Sequence, residues 1–267
     1  MQTTLLSALV ILLNVSLSHG QKGQILKDQT LQSSVLNQQV HYNIYLPPNY
    51  NENKAYPVIY YLHGFGGNHH SSKGFMERMD VLTREKKFPE TIIIAPDGGI
   101  SWYMDDYAGD FKYSTMFIRE LIPRVKKRYA IDNNNNKATV MGVSMGGFGA
   151  LRFTMLHPEE FGICVSFMAG ISTKGQISQD SDEAYNKYHH TLYGENLHPD
   201  ERANEYFMNN NPLYIAQRMD PEILKRKKWF IQVCDQDYHS LPNARLHTVF
   251  YKRNIDHEFL VPDGKHD

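Results

Sequence analysis

The pentapeptide Gly142-Val143-Ser144-Met145-Gly146 could present a nucleophilic serine hydroxyl to a substrate. Residues 137–141 before it form a short, β-prone segment that is typical of a buried strand, and residues 147–156 after it have a helical pattern. A strand, a sharp turn and a helix are the setting in which a G-x-S-x-G serine acts. The glycines keep the strained turn free of side chains, so that the serine Oγ stands clear of the backbone. The sequence therefore predicts Ser144 as a nucleophile.

Such a serine needs a histidine to take its proton and a carboxylate to hold that histidine. Enzymes with this motif supply both from loops after later strands, with the acid first. Asp235 and Asp237 follow the apolar run that ends at Cys234, and the carboxyl ends of parallel strands face the ligand crevice. Asp237 is the favoured acid because it lies on the connecting loop, and Asp235 stays the alternative.

The histidine should follow both the acid and one further strand. Residues 257–261 have the pattern of that strand, and the loop after it, Pro262-Asp263-Gly264-Lys265-His266, ends in a histidine. His266 is therefore the predicted base. Other histidines nearby are expected at the surface or on loops: His239, His247 and His257.

A developing oxyanion needs backbone donors beside the nucleophile. One is expected to be the N–H of Met145, directly after Ser144, and the second should come from a loop after an earlier strand. The apolar residues 60–62 run into His63-Gly64-Phe65-Gly66-Gly67, whose glycines let N–H groups point inward. The second donor is therefore assigned to Phe65.

The sequence indicates neither a cofactor nor a charged macromolecular partner. Histidines that could suggest a metal stand in polar loops without an ordered ligand spacing, and we expect them to be solvated and to hold no metal: His63, His69, His70, His189 and His190. The sequence contains neither a phosphate-binding loop nor a dinucleotide fingerprint. A net charge of −1 gives no reason to expect nucleic acid or an anionic membrane surface as a partner.

The elements that must position these residues alternate along the chain. Apolar runs predict strands at residues 40–46, 58–62, 91–95, 138–143, 164–168, 229–234 and 257–261, and helical patterns lie at 75–86, 114–129, 145–157 and 241–253. Short continuous apolar runs are typical of a parallel sheet covered on both faces. The alternation predicts a doubly wound, mostly parallel α/β sheet in one domain, residues 21–267.

Two segments stand apart from this alternation. Residues 172–211 are polar and irregular, and are expected either to cover the site as a cap or to form a plain surface excursion. Met1–Gly20 has a short apolar core and small residues near its end, which predicts a secretory signal peptide, the alternative being an apolar first strand. Nothing after it is long and apolar enough for a membrane helix, so we expect an exported chain that leaves the membrane after cleavage.

Taken together, these motifs resemble the esterase D-like family of α/β-hydrolases. The matching segments run in order along nearly the whole mature chain: His63–Gly67, Asp97–Gly99 with Ser101–Tyr103, Glu120–Pro123, Gly142–Gly147 and Gly264–Asp267. That family includes feruloyl and acetylxylan esterases, S-formylglutathione hydrolases, siderophore esterases and mycolyltransferases. The resemblance implies an α/β-hydrolase fold and a serine esterase without a cofactor.

The resemblance also assigns residues. It implies Ser144 as nucleophile, Asp237 as acid and His266 as base, with Phe65 and Met145 as oxyanion donors. Residues implied to face the substrate are His63, Trp102 and Tyr103. Two features depart from the family pattern: the chain stops at Asp267, where relatives continue into a tryptophan and a closing helix, and Cys234-Asp235 replaces a Gly-Thr-like pair.

The expected function is that of a secreted or periplasmic serine carboxylester hydrolase. Export favours the removal of acetyl or feruloyl groups from plant cell-wall polysaccharide. A periplasmic siderophore esterase, a thioesterase similar to S-formylglutathione hydrolase and a mycolyl-type acyltransferase are the enzymatic alternatives. A catalytically inactive binding module on the same scaffold is the non-enzymatic one.

Overall fold

The computed structural model describes residues 21–133 and 138–266, and within them eight strands form one sheet. The strands are β1 (Gln24–Ser33), β2 (Gln38–Leu46), β3 (Val58–Leu62), β4 (Ile92–Pro96), β5 (Thr139–Val143), β6 (Ile163–Phe167), β7 (Lys228–Gln232) and β8 (Glu258–Leu260). Their order is β1-β2-β4-β3-β5-β6-β7-β8, with β1 and β2 antiparallel to their neighbours and all later pairs parallel. The predicted mostly parallel sheet of an α/β-hydrolase fold is confirmed.

Seven of the strands lie within two residues of the predicted bounds, but β1 was not predicted. Strand β1 lies at the sheet edge and pairs with β2 alone, so its side chains are exposed or half-buried except that of Ser33, which is buried. Its register shifts between Leu26 and Gln29, and Asp28 within this bulge has φ of 52°. A solvent-exposed edge strand with a bulge lacks the continuous apolar run by which the other strands were recognised.

Helices cover the sheet between successive strands. They are α1 (Lys73–Arg84), α2 (Tyr113–Met116), α3 (Ile122–Arg128), α4 (Met145–Leu156), α5 (Lys174–Gln179), α6 (Asp182–Tyr188), α7 (His190–Tyr193), α8 (Glu205–Asn210), α9 (Pro212–Arg218), α10 (Pro221–Lys225) and α11 (Ser240–Lys252). A 3₁₀ turn, His69–Ser72, precedes α1, and a π-helical segment, Phe117–Leu121, joins α2 to α3. The four predicted helices are therefore present, the second of them interrupted by this π-helical segment.

Alternate residues of the central strands enter two separate apolar layers. Tyr60, Ile94 and Val140 belong to the larger core, which also contains buried side chains of α4 and α11. Ile59 and Met141 point to the other face and pack in a smaller core with residues of α1. Burial on both faces explains why these strands are continuous apolar runs.

The smaller core covers the last strands only in part, with Val165 and Phe167 of β6 packed at its edge. Val165, Phe167, Phe230 and Leu260 line an open groove of about 340 Å³ on β6, β7 and β8. Leu260 is 57% exposed and Phe230 is 37% exposed, so this face of the sheet presents apolar side chains to solvent.

The two segments that stood apart in the sequence have different outcomes. Residues 172–211 fold into α5 to α8, so that the region predicted to be irregular is mainly helical. The predicted signal peptide, Met1–Gly20, lies outside the described residues. Among the residues that are described, the structure contains no helix both long and apolar enough to cross a membrane.

Candidate active site

Ser144 stands on a sharp turn between β5 and α4. Its backbone has φ of 56° and ψ of −115°, a conformation that L-residues rarely adopt. A Cβ placed on Gly146 would lie 2.0 Å from the Leu62 carbonyl oxygen, and one on Gly142 would lie 2.4 Å from the Gly146 carbonyl carbon. Only glycine fits at these two positions, which is why the pentapeptide can bring the serine to the edge of the sheet.

The three residues predicted to act together form one hydrogen-bonded chain. His266 Nε2 lies 2.8 Å from the Ser144 Oγ, and His266 Nδ1 lies 2.7 Å from Asp237 Oδ2. The Asp237 side chain is fully buried, whereas the His266 side chain is 17% exposed and reaches the cavity described below. A buried carboxylate, an imidazole and an accessible hydroxyl in this order can activate a nucleophile.

Asp235 and Asp237, which the sequence left as alternatives, have different partners. Asp237 Oδ1 accepts the His239 N–H at 2.7 Å, leaving Oδ2 for His266. Asp235 Oδ1 accepts the Gly264 N–H at 2.9 Å instead. Asp235 therefore fixes the loop that carries His266, while Asp237 contacts the imidazole.

The backbone segments that carry the predicted oxyanion donors lie beside the serine. Met145 is the first residue of α4, and the first N–H groups of a helix have no acceptor within the helix. A Cβ on Gly64 would lie 3.6 Å from the Ser144 Cβ, which brings the loop containing Phe65 against the nucleophile. Both backbone segments can therefore direct N–H groups toward a substrate oxygen.

His63 and Tyr103 do not face a substrate, contrary to the sequence-based assignment. His63 is 2% exposed, its Nε2 accepts the Gly98 N–H at 2.8 Å, and its Nδ1 therefore donates to the Gly64 carbonyl at 2.8 Å. Tyr103 is fully buried, and its hydroxyl donates to the His63 carbonyl at 3.0 Å. Both side chains therefore hold the glycine-rich loop in place through hydrogen bonds to its backbone carbonyls.

The Asp97 carboxylate lies beside the same loop. Its Oδ1 is 3.7 Å from His63 Nε2, and it also accepts the Gly99 N–H at 3.0 Å. Asp97 therefore links its own loop to the glycine-rich one.

Trp102, unlike His63 and Tyr103, lines the cavity beside Ser144. Its indole lines a cavity of about 850 Å³ that opens at Ser144 and His266. The aromatic and polar walls of this cavity are formed by Phe65, Trp102, Gln176, Gln179, Asp180, Tyr188, His189, Tyr238 and His239. Five of these residues lie in α5, in α6 or directly after one of these two helices, so the 172–211 region covers the site as a cap.

His239 is part of the site rather than a surface group. It is 9% exposed, and its Nδ1 lies 2.8 Å from the Ile171 carbonyl oxygen. Burial lowers the pKa of His239 to about 4, and the nearby His266 ring acts in the same direction. His239 is thus a neutral imidazole whose backbone N–H supports Asp237.

His189 is the cavity residue that sequence reasoning missed most clearly. Its side chain is 11% exposed, and burial, with smaller contributions from His239 and Arg202, lowers its pKa to about 4. Its ring lies 5.8 Å from that of Trp102. His189 Nδ1 and Trp102 Nε1 are buried and have no hydrogen-bond partner within the described part of the chain. The sequence predicted that His189 is solvated, which is wrong, and no motif placed it in the cavity.

Part of the chain is similar in sequence to known esterases. An esterase of Mycobacterium tuberculosis is 32% identical over 125 residues, 45% of this chain and 26% of that relative. An endo-1,4-beta-xylanase/feruloyl esterase of Xylanibacter ruminicola is 29% identical over 133 residues, 45% of this chain and 18% of the relative. The matched segments therefore span about a quarter or less of these curated relatives.

The solved structure of a ferulic acid esterase shares the fold over nearly the whole chain. Its TM-score is 0.77 at 24% identity, and the match covers 92% of both chains. Residues 33–217 match the family described as "Putative esterase", more than half of the sequence. The resemblance inferred from the motifs is confirmed, and the chain belongs to this esterase family.

Proposed function

We propose that this esterase is a serine carboxylester hydrolase that acts through an acyl-enzyme, with feruloyl or acetyl esters of plant cell-wall polysaccharide as its substrates. The observation that carries the proposal is the hydrogen-bonded chain Ser144, His266 and Asp237 at the mouth of an aromatic-walled cavity. Two similar proteins, one named an endo-1,4-beta-xylanase/feruloyl esterase and the other an acetyl esterase, support these two acyl groups.

The first half-reaction follows from the two distances at His266. As the Ser144 Oγ attacks the ester carbonyl, its proton passes to His266 Nε2, 2.8 Å away. The imidazolium that forms is stabilised by Asp237 Oδ2, and the negative oxygen is held by the N–H groups of Phe65 and Met145. His266 then returns the proton to the leaving alcohol, which departs and leaves an acyl group on Ser144.

The second half-reaction reverses these roles with water. His266 takes a proton from a water molecule, whose oxygen attacks the acyl carbon. The resulting tetrahedral intermediate uses the same two N–H donors. Collapse breaks the bond to the Ser144 Oγ, which regains its proton from His266, and the carboxylic acid is released.

The cavity walls favour an aromatic acyl group over acetyl. Phe65, Trp102 and Tyr188 form a connected set of rings, with centroids 6.4 Å and 5.1 Å from Phe65. Aromatic pairs of this spacing are favourable, and a volume of about 850 Å³ is far larger than an acetyl group requires. The unpartnered Trp102 Nε1 and His189 Nδ1 would suit the ring oxygens of a hydroxycinnamoyl group.

The experiment is a substrate panel on the purified chain. We expect hydrolysis of methyl ferulate and p-nitrophenyl acetate, labelling by a fluorophosphonate, and higher kcat/KM for feruloylated oligosaccharide than for acetylated xylan. S-formylglutathione and a catechol siderophore ester complete the panel, and preference for either would replace the proposed substrate. A folded chain that hydrolyses none of them and resists labelling would instead be the inactive binding module. Export, proposed from residues 1–20, is tested by signal-peptide cleavage in a secreting host.

A further inference from the structure

Three side chains remote from Ser144 bring their ligand atoms together. Asp28, His69 and His70 each offer one atom, and these atoms all lie within 4.8 Å of one another. Asp28 Oδ1 is 3.0 Å from His69 Nε2 and 3.2 Å from His70 Nε2. None of the three lines the cavity at Ser144. The sequence predicted that these histidines are solvated, which is wrong for His69, since its side chain is only 9% exposed.

The cluster is built by two segments that lie 41 residues apart in sequence. Asp28 sits in the bulge of β1, and the two histidines begin the 3₁₀ turn before α1. The buried Asn43 joins them: its Oδ1 accepts the Asp28 N–H at 2.9 Å, and its Nδ2 donates to the His69 carbonyl at 3.1 Å. The backbone on both sides of the cluster is therefore fixed by one amide.

His69 faces a carboxylate on each of its two ring nitrogens. Nε2 meets Asp28 Oδ1 at 3.0 Å, and Nδ1 meets Asp97 Oδ2 at 3.2 Å. A neutral imidazole has a single N–H, so it can satisfy only one of these oxygens. A cation between Nε2 and Asp28 removes the conflict, because Nδ1–H then donates to Asp97 while the Nε2 lone pair binds the ion.

This is an arrangement found around histidine ligands, whose second nitrogen donates to a carboxylate, a backbone carbonyl or water. Zinc bonds to nitrogen and oxygen of about 2.0–2.2 Å place tetrahedral ligand atoms roughly 3.3 Å apart. The observed separations of 3.0 Å and 3.2 Å from Asp28 Oδ1 are close to that spacing. Asp28 and His70 are 61% and 51% exposed, so the fourth ligand would be water.

We propose that Asp28 Oδ1, His69 Nε2 and His70 Nε2 form a binding site for a divalent transition-metal cation of the Zn²⁺ class. The two-imidazole, one-carboxylate donor set suits zinc better than the oxygen-seeking Ca²⁺ or Mg²⁺. The ion has a structural role, since it links the edge strand β1 to the turn before α1. Through Asp97, which also lies beside His63, it stiffens the loop that precedes Phe65.

The test is titration of tag-free, chelator-treated protein with ZnCl₂ alone. Calorimetry is expected to give one ion per chain, and thermal unfolding a midpoint that rises with Zn²⁺ concentration. Zinc X-ray absorption should show nitrogen and oxygen neighbours at about 2.0–2.1 Å with an imidazole signature. D28N and H70N should each weaken binding by at least ~100-fold, more than loss of an outer partner does.

H198N is the matched control. His198 is an exposed histidine hydrogen-bonded to Asp200, so it represents a chance surface pair of the same residue types. Its replacement should leave zinc affinity and the zinc-dependent midpoint unchanged. The proposal fails if the wild-type chain takes up no zinc, or if D28N and H70N bind it as tightly as H198N. In either case Asp28, His69 and His70 are only a hydrogen-bonded cluster.

Discussion

Asp237 Oδ2 lies 2.7 Å from His266 Nδ1, and this contact decides which nitrogen of the imidazole faces the serine with its lone pair. The carboxylate can only accept, so Nδ1 carries the proton, and Nε2 is left as the acceptor 2.8 Å from the Ser144 Oγ. The other carboxylate oxygen is engaged by the His239 N–H, so Asp237 cannot turn away from His266. The orientation of the base is therefore fixed before a substrate arrives.

The first prediction separates the two neighbouring aspartates. Asp237→Asn can offer an amide N–H to His266 and so reverse its tautomer, and kcat should fall by about three to four orders of magnitude. Asp235→Ala removes the hydrogen bond to the Gly264 N–H but leaves the tautomer intact, and should cost about tenfold. Steady-state hydrolysis of p-nitrophenyl acetate measures both. Equal losses in the two variants would contradict the assigned roles.

The second prediction concerns the nucleophile. Ser144→Ala should lower kcat by at least ~10³-fold and abolish fluorophosphonate labelling, because the hydroxyl that forms the acyl-enzyme is gone. The strained backbone at Ser144 tolerates alanine no worse than serine, so the variant should fold with an unchanged unfolding midpoint. Turnover near the wild-type rate would show that another residue is the nucleophile.

The sequence was informative where one local rule decided the outcome. Gly142 and Gly146 permit only one kind of turn, so the position of Ser144 could be predicted from five residues. Continuous apolar runs located the buried strands, and chain order then led to Asp237 and His266. The choice of Asp237 over Asp235 depended on two residues of loop, and the structure brings Asp237 to the imidazole.

The sequence was uninformative where tertiary packing decides which way a side chain points. Trp102 and Tyr103 are adjacent, and both have positive φ, yet one lines the cavity and the other is buried beneath it. His189 and His239 are ordinary loop histidines by pattern, and become neutral cavity residues only because helices of the cap and α11 enclose them. No spacing rule encodes such an enclosure.

The third prediction tests the packing of the elbow. Gly146→Ala places a methyl carbon 2.0 Å from the Leu62 carbonyl oxygen, so the strand or the helix must move. We expect a loss of about 3 kcal/mol or more in the free energy of unfolding. Gly175→Ala is the control, since a Cβ there has no atom within 4 Å and the residue lies in α5. It should stabilise the chain by up to about 1 kcal/mol. Urea unfolding compares the two, and similar midpoints would refute the steric argument.

The fourth prediction is a pH dependence of stability that originates at His189. Its pKa is about 4 in the folded chain against an ordinary value of 6.5, so its contribution to stability is complete above pH 6.5 and is lost as the pH falls toward 4. At pH 5 this one histidine should make the fold about 2 kcal/mol less stable than at pH 8.

His189→Phe keeps an aromatic ring beside Trp102 but cannot titrate. Urea unfolding at pH 8 measures how the substitution changes packing. The difference in the free energy of unfolding between pH 8 and pH 5 measures the effect of protonation. That difference should shrink by about 2 kcal/mol in the variant, while His239, whose pKa is also about 4, continues to contribute its own share. An unchanged difference would show that His189 is not a buried neutral group.

The fifth prediction identifies where the acyl group lies. If an aromatic acyl group stacks within the cavity and bonds the unpartnered Trp102 Nε1, then Trp102→Phe preserves a ring wall and removes one donor. The ratio of kcat/KM for methyl ferulate to that for p-nitrophenyl acetate should fall about tenfold, the value of one hydrogen bond. The kcat/KM for methyl cinnamate should change little, because this ester lacks the ring oxygens that would accept a hydrogen bond from Trp102 Nε1. If kcat/KM falls equally for all three esters, Trp102 only supports the oxyanion loop, and the acyl group occupies a different part of the cavity.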